Sequence, residues 1–155
     1  MYGIAHDQVT ARVCLEYFTV GHPPIFNTTS PTLLALGWGV VATWWVGLPL
    51  GLTLATAARV GRRPKFGVRS LVRPVGILLV IMGASALTFG LVGAALAARG
   101  SISLWEPLAS RVPRSAHVRF LADLWAHNAS YFVGFFGGLG VAGWVWVQRQ
   151  PGGAT

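Results

Sequence analysis

The sequence predicts an all-α integral membrane bundle of three spanning helices with an extracytoplasmic N-terminal segment. Three observations predict it. The 155-residue chain is 54% hydrophobic and only 10% charged, whereas a soluble domain carries about 25% charged residues. It contains three long apolar runs: 27 uncharged residues at 32–58, 25 at 74–98, and 25 at 124–148 with His127 as the only ionisable group. A spanning helix needs about 20 such residues. The basic residues, finally, are concentrated in the loops beside these runs, where the positive-inside rule accounts for them. The net charge of +8 therefore has a topological explanation. The expected partner is the lipid bilayer, and nucleic acid is rejected as a partner. Cys14 is the single cysteine, so no disulfide forms within the chain, and it reads as a small packed side chain.

Residues 1–31 are the expected extracytoplasmic interfacial segment. They read MYGIAHDQVTARVCLEYFTVGHPPIFNTTSP and are too mixed in polarity to span a bilayer. Val9, Val13, Tyr17 and Val20 recur at near-helical spacing and predict a short helix lying on the membrane, although Leu15–Val20 suits an extended segment equally well. Pro23-Pro24 ends any helix there. Asn27-Thr28-Thr29-Ser30 then offers side-chain caps for the first span.

Residues 32–148 are the expected transmembrane bundle, with helices at about 32–58, 74–98 and 119–148. The first carries Gly47-x-x-x-Gly51, a pattern that permits close approach of a neighbouring helix, and Pro49, where a kink is expected. The loop 59–73 holds six basic residues in fifteen and no acid, which makes it cytoplasmic. The second helix offers Ser85 and Thr88 as its only hydroxyls, and such groups ordinarily bond their own backbone carbonyls. In the second loop, Ser103-Leu104-Trp105-Glu106 fits a capping box followed by Pro107 in a first turn. The third helix opens on the most polar helical stretch, His117 to Tyr131, and continues with a packing face of Gly134, Gly137, Gly138, Gly140 and Gly143. Residues 149–155 are expected to be a disordered tail.

With loop 59–73 and the C-terminus cytoplasmic, residues 1–31 and 99–118 fall on the opposite side. Seven basic residues then lie inside and five outside. The expected location is a bacterial inner membrane, crossed several times. All four acids (Asp7, Glu16, Glu106, Asp123) and all four histidines (His6, His22, His117, His127) come to one membrane face. Asp123 and His127 are four apart and share a helix face. His127 sits inside an apolar run, where an ionisable group is a functional-site hypothesis by default. Asn128, Ser130 and Tyr131 add polar groups beside them. The N-terminal half of the cluster would be His6, Asp7, Glu16 and His22. The adjacent pair His6-Asp7 is the weaker one, because neighbours on regular structure point apart.

Three readings of this cluster stay open. In the first, His6, Asp7, Glu16, His22, Asp123 and His127 supply ligands for a metal, with Zn or Fe suited to His and carboxylate donors. In the second, the cluster is structural, and the acids pair with Arg12, Arg119 or the histidines to dock the N-terminal segment. In the third, His127 is the best-placed candidate for bis-histidine haem ligation. The chain has no H-E-x-x-H signature, nucleophile triad, phosphate loop or nucleotide fingerprint, so no reaction is assigned. The expected function is a small integral membrane protein with a His/carboxylate cluster, a candidate metal site, at the extracytoplasmic interface. The competing class is a non-catalytic subunit or assembly factor of a larger membrane complex. Three helices are few for a pore, so a transport pathway would need a homo-oligomer or a larger complex.

The stretch Tyr2-Gly-Ile-Ala-His6-Asp7-Gln8-Val-Thr10, then Glu16-Tyr-Phe-Thr19, then His22-Pro23, resembles a segment of small bacterial membrane proteins without an assigned function. The resemblance covers about 25 residues closely and the rest by hydropathy. It implies a bacterial membrane protein and supplies no reaction. It also implies an apolar helix ahead of the HDQ motif, which would make four spans with both termini cytoplasmic and leave the motif outside.

Overall fold

The computed structural model describes residues 1–149, and the expected tail at 150–155 lies outside the described residues. The described residues are helical, with no strands among them. The helices are α1 (Tyr2–Val13), α2 (Leu15–Thr19), α3 (Pro31–Val41), α4 (Trp44–Arg59), α5 (Val68–Ala98), α6 (Leu108–Arg111) and α7 (His117–Gln148), with a 3₁₀ turn at Arg114–Ala116 ahead of α7.

Two helices, Val68–Ala98 and the unit Arg114–Gln148, are long and apolar enough to cross a membrane. A third span exists if α3 and α4, bent by 41° at their junction, are counted together. Large apolar side chains point outward all along these helices, among them Leu52, Val80, Leu91, Phe132 and Phe136. An outer surface of that kind suits hydrocarbon and not water. The helix of the second span starts at Val68, six residues before the expected boundary at 74. Hydropathy locates the apolar part of a helix, whereas the hydrogen-bonded backbone runs on through Arg69 and Arg73.

The first span bends at Ala42–Thr43 and not at Pro49, which lies inside α4. Side chains seize the backbone there. The Thr43 hydroxyl donates to the Gly39 carbonyl at 2.5 Å, and the Tyr131 hydroxyl donates to the Ala42 carbonyl at 3.0 Å. Groups inserted into the helical ladder are an identifiable cause of bending. The N-terminus of α1 packs against the same place. A Cβ on Gly39 would stand 2.6 Å from the Ile4 Cα, and one on Gly3 would stand 2.3 Å from the Thr43 Cγ2. This Gly3–Gly39 crossing lets α1 lie directly on α3.

The bundle is held at its two ends. At one end, Cys14, Phe18, Leu34 and Trp38 pack with Leu104, Val112, Ala116 and Phe120. The N-terminal helices and the 99–118 loop therefore share an end of the molecule. At the other end, Ala57, Ala58, Ala142 and Val145 form a smaller core with Phe66 and Leu71 beside it. Arg149, expected in the tail, is 1% exposed and belongs to this end. Its guanidinium donates to the carbonyls of Pro64 (2.6 Å), Val60 (2.9 Å), Arg63 (3.3 Å) and Ala57. Arg63 returns the contact by donating to the Trp146 carbonyl at 3.2 Å and stacking 4.5 Å above the Trp146 ring. A helix end leaves carbonyls without intrahelical partners, and here one cation gathers one from the last turn of α4 and three from the loop that follows.

Between the ends, α4 and α5 each pack on α7 but scarcely touch one another. A cavity of about 340 Å³ lies between them. Gly47 and Gly51, expected to mediate close helix packing, border this cavity instead, and a Cβ on either would meet nothing within 4 Å. The glycine face of α7 does pack closely at Gly134, Gly137 and Gly138, against Met82, Leu78 and Leu50, whereas Gly140 and Gly143 face open space. The expected capping box at Ser103 does not form. The helix there starts only at Leu108, and the Glu106 carboxylate accepts from the Ser110 amide at 3.3 Å.

Candidate functional site

The inward face of α1 is its polar one. Gly3, Asp7, Thr10 and Ala11 are buried, while Val9 and Val13 are exposed. The apolar spacing that predicts this helix therefore marks its outer side. Asp7 (4% exposed) and His127 (6%) are buried where α1 meets α7. The His127 Nε2 is 3.2 Å from the Asp7 Oδ1. No other ion pair occurs among the described residues.

His6 completes the group. Its ring lies edge-on to that of His127, with centroids 4.4 Å apart, and stacks on Tyr2 at 5.9 Å. One ligand-type atom from each of His6, Asp7 and His127 falls within 4.8 Å of the others. Sequence spacing argues against His6-Asp7 as a pair, since neighbours on a helix are turned about 100° apart. The structure corrects that expectation, because the His127 ring meets both side chains.

The tautomer of His127 is constrained by its surroundings. Its Nδ1 lies 2.9 Å from the Asp123 backbone carbonyl, which only accepts, so Nδ1 carries a proton and donates. In the neutral ring, Nε2 is then a lone pair directed at the Asp7 carboxylate. Two acceptors at that distance need a proton or a cation between them. The His6 Nε2 is also buried and has no hydrogen-bond partner among the described residues. Burial pushes His6 down to about 4, aided by the His127 ring and opposed by Asp7. The His6 ring is thus neutral near pH 7, with a lone pair available.

The other predicted site residues lie elsewhere. Glu16 is half-buried, and its Oε2 accepts from the Cys14 thiol at 3.3 Å. Burial, aided by that contact, pushes the Cys14 thiol up to about 12. The His22 Nδ1 donates to the Tyr17 carbonyl at 2.8 Å, and its ring packs against Tyr17, Phe18 and Trp38. Burial lowers the basicity of His22, and the bond to Tyr17 opposes that. The Asp123 carboxylate lies by the Cys14 backbone amide and outside the three-ligand group, and its Oδ2 lacks a partner among the described residues. It is the backbone carbonyl of Asp123 that serves His127. Asn128 is exposed on the outer face. Arg12 bonds Gln8 and the Thr32 hydroxyl, not a carboxylate.

Two groups beside the cluster carry weak sequence signals. The Tyr2 hydroxyl lies 2.9 Å from the Ser130 Oγ, at the edge of the cavity. Tyr2, His6 and Thr10 recur every four residues, a period that polar residues disclose as well as apolar ones. The Tyr17 ring packs 4.5 Å from that of His127 and walls the site from the side of α2. No protein family, curated protein or solved structure matches this chain.

Proposed function

We propose that the chain is a small integral membrane protein that binds one divalent transition metal, Zn or Fe, at His6, Asp7 and His127. The carrying observation is the fixed orientation of His127, whose Nδ1 is committed to the Asp123 carbonyl while Nε2 faces Asp7 and the ring packs against His6. Histidines that ligate metals characteristically donate their other ring N–H to a carbonyl or carboxylate. Two histidines and one carboxylate suit a non-haem Fe(II) site or a three-ligand Zn site. Three protein ligands leave a coordination position vacant, the pattern of sites that act on a bound molecule. His6, Asp7 and His127 all line the cavity. Bound there, the metal would polarise or activate a ligand. This chain's own residues would orient it through the Asp123 carbonyl and shield it with Tyr17 and Phe18.

The charge density of loop 59–73 supports placing that loop in the cytoplasm and the cluster toward the outer side of a bacterial inner membrane. A non-catalytic subunit or assembly factor of a larger complex is the second reading. It is favoured by the same contact taken as a docking ion pair between α1 and α7.

Elemental analysis of protein purified in mild detergent decides between them. One transition metal per chain is expected, absent from His127→Ala and from His6→Ala. A wild-type protein that stays metal-free after incubation with Zn or Fe(II), and co-purifies with a stoichiometric partner, would establish the second reading.

A further inference from the structure

The cavity has a polar head and an apolar body. Its lining follows α7 from His127 to Val141, a rise of roughly 21 Å at about 1.5 Å per residue. His6, Asp7, His127 and the Tyr2 and Ser130 hydroxyls gather at one end. From there the walls are almost wholly hydrocarbon: Val46, Leu50 and Leu54 on α4 face Leu78 and Met82 on α5. The cavity has a volume of about 340 Å³, and its length along α7 suits an extended hydrocarbon chain.

The cavity also opens sideways. Because α4 and α5 scarcely touch, Gly47, Gly51 and Leu79 lie both on its wall and on the exposed outer surface. That surface is the apolar one that suits hydrocarbon, so a molecule dissolved in the bilayer enters without crossing water. A ligand matching this shape has one flexible hydrocarbon chain and an oxygen-bearing head. The head reaches a cluster whose donors and acceptors are otherwise incompletely matched, while the chain lies along the glycine-bordered slot.

We propose that this cavity binds a single-chain membrane amphiphile with a carboxylate or hydroxyl head, entering between α4 and α5 and presenting its head oxygen to the His6–Asp7–His127 cluster. The assignment of the head rests on the metal reading, whereas the seat of the chain does not. Small residues at 47 and 51 then have a use beyond packing, since a bulky side chain there would obstruct the slot.

The test uses the full chain in mild detergent or lipid nanodiscs, with two photoactivatable probes. One is palmitic acid bearing a diazirine in its tail and the other is the corresponding sixteen-carbon alcohol. Cross-linked peptides are expected from 46–54 and 134–141, competed by the unlabelled parent compound. Gly51→Phe and, independently, Gly47→Leu should lower that labelling about tenfold while leaving helicity and metal content unchanged. Preference for the acid identifies a carboxylate head, and preference for the alcohol identifies a hydroxyl head. In His127→Ala, cross-linking in the slot should persist while the preference between the two heads disappears. Labelling spread over the outer faces and indifferent to both glycine variants would overturn the proposal, even with one metal per chain present. Slot labelling in a protein that takes up no metal would uphold the chain seat and sink the metal reading alone.

Discussion

The Nε2 of His127 lies 3.2 Å from the Oδ1 of Asp7, 120 residues away along the chain, while the Nδ1 of the same ring is held 2.9 Å from the Asp123 carbonyl. One imidazole thereby joins the N-terminal helix to the last long one and is fixed in a single orientation. The arrangement separates the roles of two aspartates that look equivalent in sequence. Asp7→Asn should lower metal affinity at least tenfold, because the amide presents a neutral and weaker ligand. Asp123→Asn should leave one metal per chain, because its service to His127 comes from the backbone. Metal titration of the two variants side by side checks this, and equal losses in both would contradict it.

Acid should destabilise the apo-protein through its buried histidines. In the folded chain His6 is pushed down to about 4, from about 6.5 when unfolded, and His22 is lowered as well. For a depressed histidine the unfolded state binds more protons between those two values, so stability rises with pH across that window. Its contribution is complete above about pH 6.5 and is lost as pH falls toward about 4. For His6 alone the loss is on the order of 3 kcal/mol at most. Thermal unfolding in detergent with a chelator present should show it, and the slope should shrink in His6→Gln.

Cys14 should be inert in the folded protein. It is 1% exposed, and its thiol is pushed up to about 12 by burial and by Glu16. Maleimide at pH 7 should label it only after denaturation. Glu16→Gln should not expose it, because packing against α7 and the 99–118 loop buries the sulfur. Rapid labelling of native wild-type protein would contradict this packing.

Two glycines should respond oppositely to the same change. Gly39→Ala forces a Cβ to 2.6 Å from the Ile4 backbone and should cost about 1–3 kcal/mol by pushing α1 off α3. Gly51→Ala meets nothing within 4 Å and should be neutral or stabilising by up to about 1 kcal/mol, as helix propensity favours Ala. Denaturation of both variants in the same detergent gives the comparison.

How much of this was legible in the sequence depended on whether the signal was local. Hydropathy located the apolar helices, since burial in lipid demands long uninterrupted runs. The i, i+4 relation of Asp123 and His127 was also legible, but it led to the wrong atom of Asp123, because spacing cannot tell a side chain from the carbonyl beneath it. His6-Asp7 was discounted on helical geometry, and only the position of α7 shows that a third group can meet both neighbours. The near-helical spacing of Val9 and Val13 predicts a helix lying on a membrane, and both side chains are exposed on the outer side of α1. The bend at Ala42 depends on Tyr131 and on α1, neither of which is near it in sequence.

Arg149 carries a consequence for the order in which this protein can be completed. The carbonyls at the end of α4 and in the loop that follows are made early and stay without their partner until the chain has emerged some 85 residues further, because the guanidinium that gathers them comes after α7. Until the final segment is in place, the corner beyond α4 therefore lacks this tie. Only the residue that caps the final helix fixes that corner. Arg149→Met should leave synthesis and insertion intact, cost about 2–4 kcal/mol in unfolding, and make the loop at 59–67 sensitive to protease.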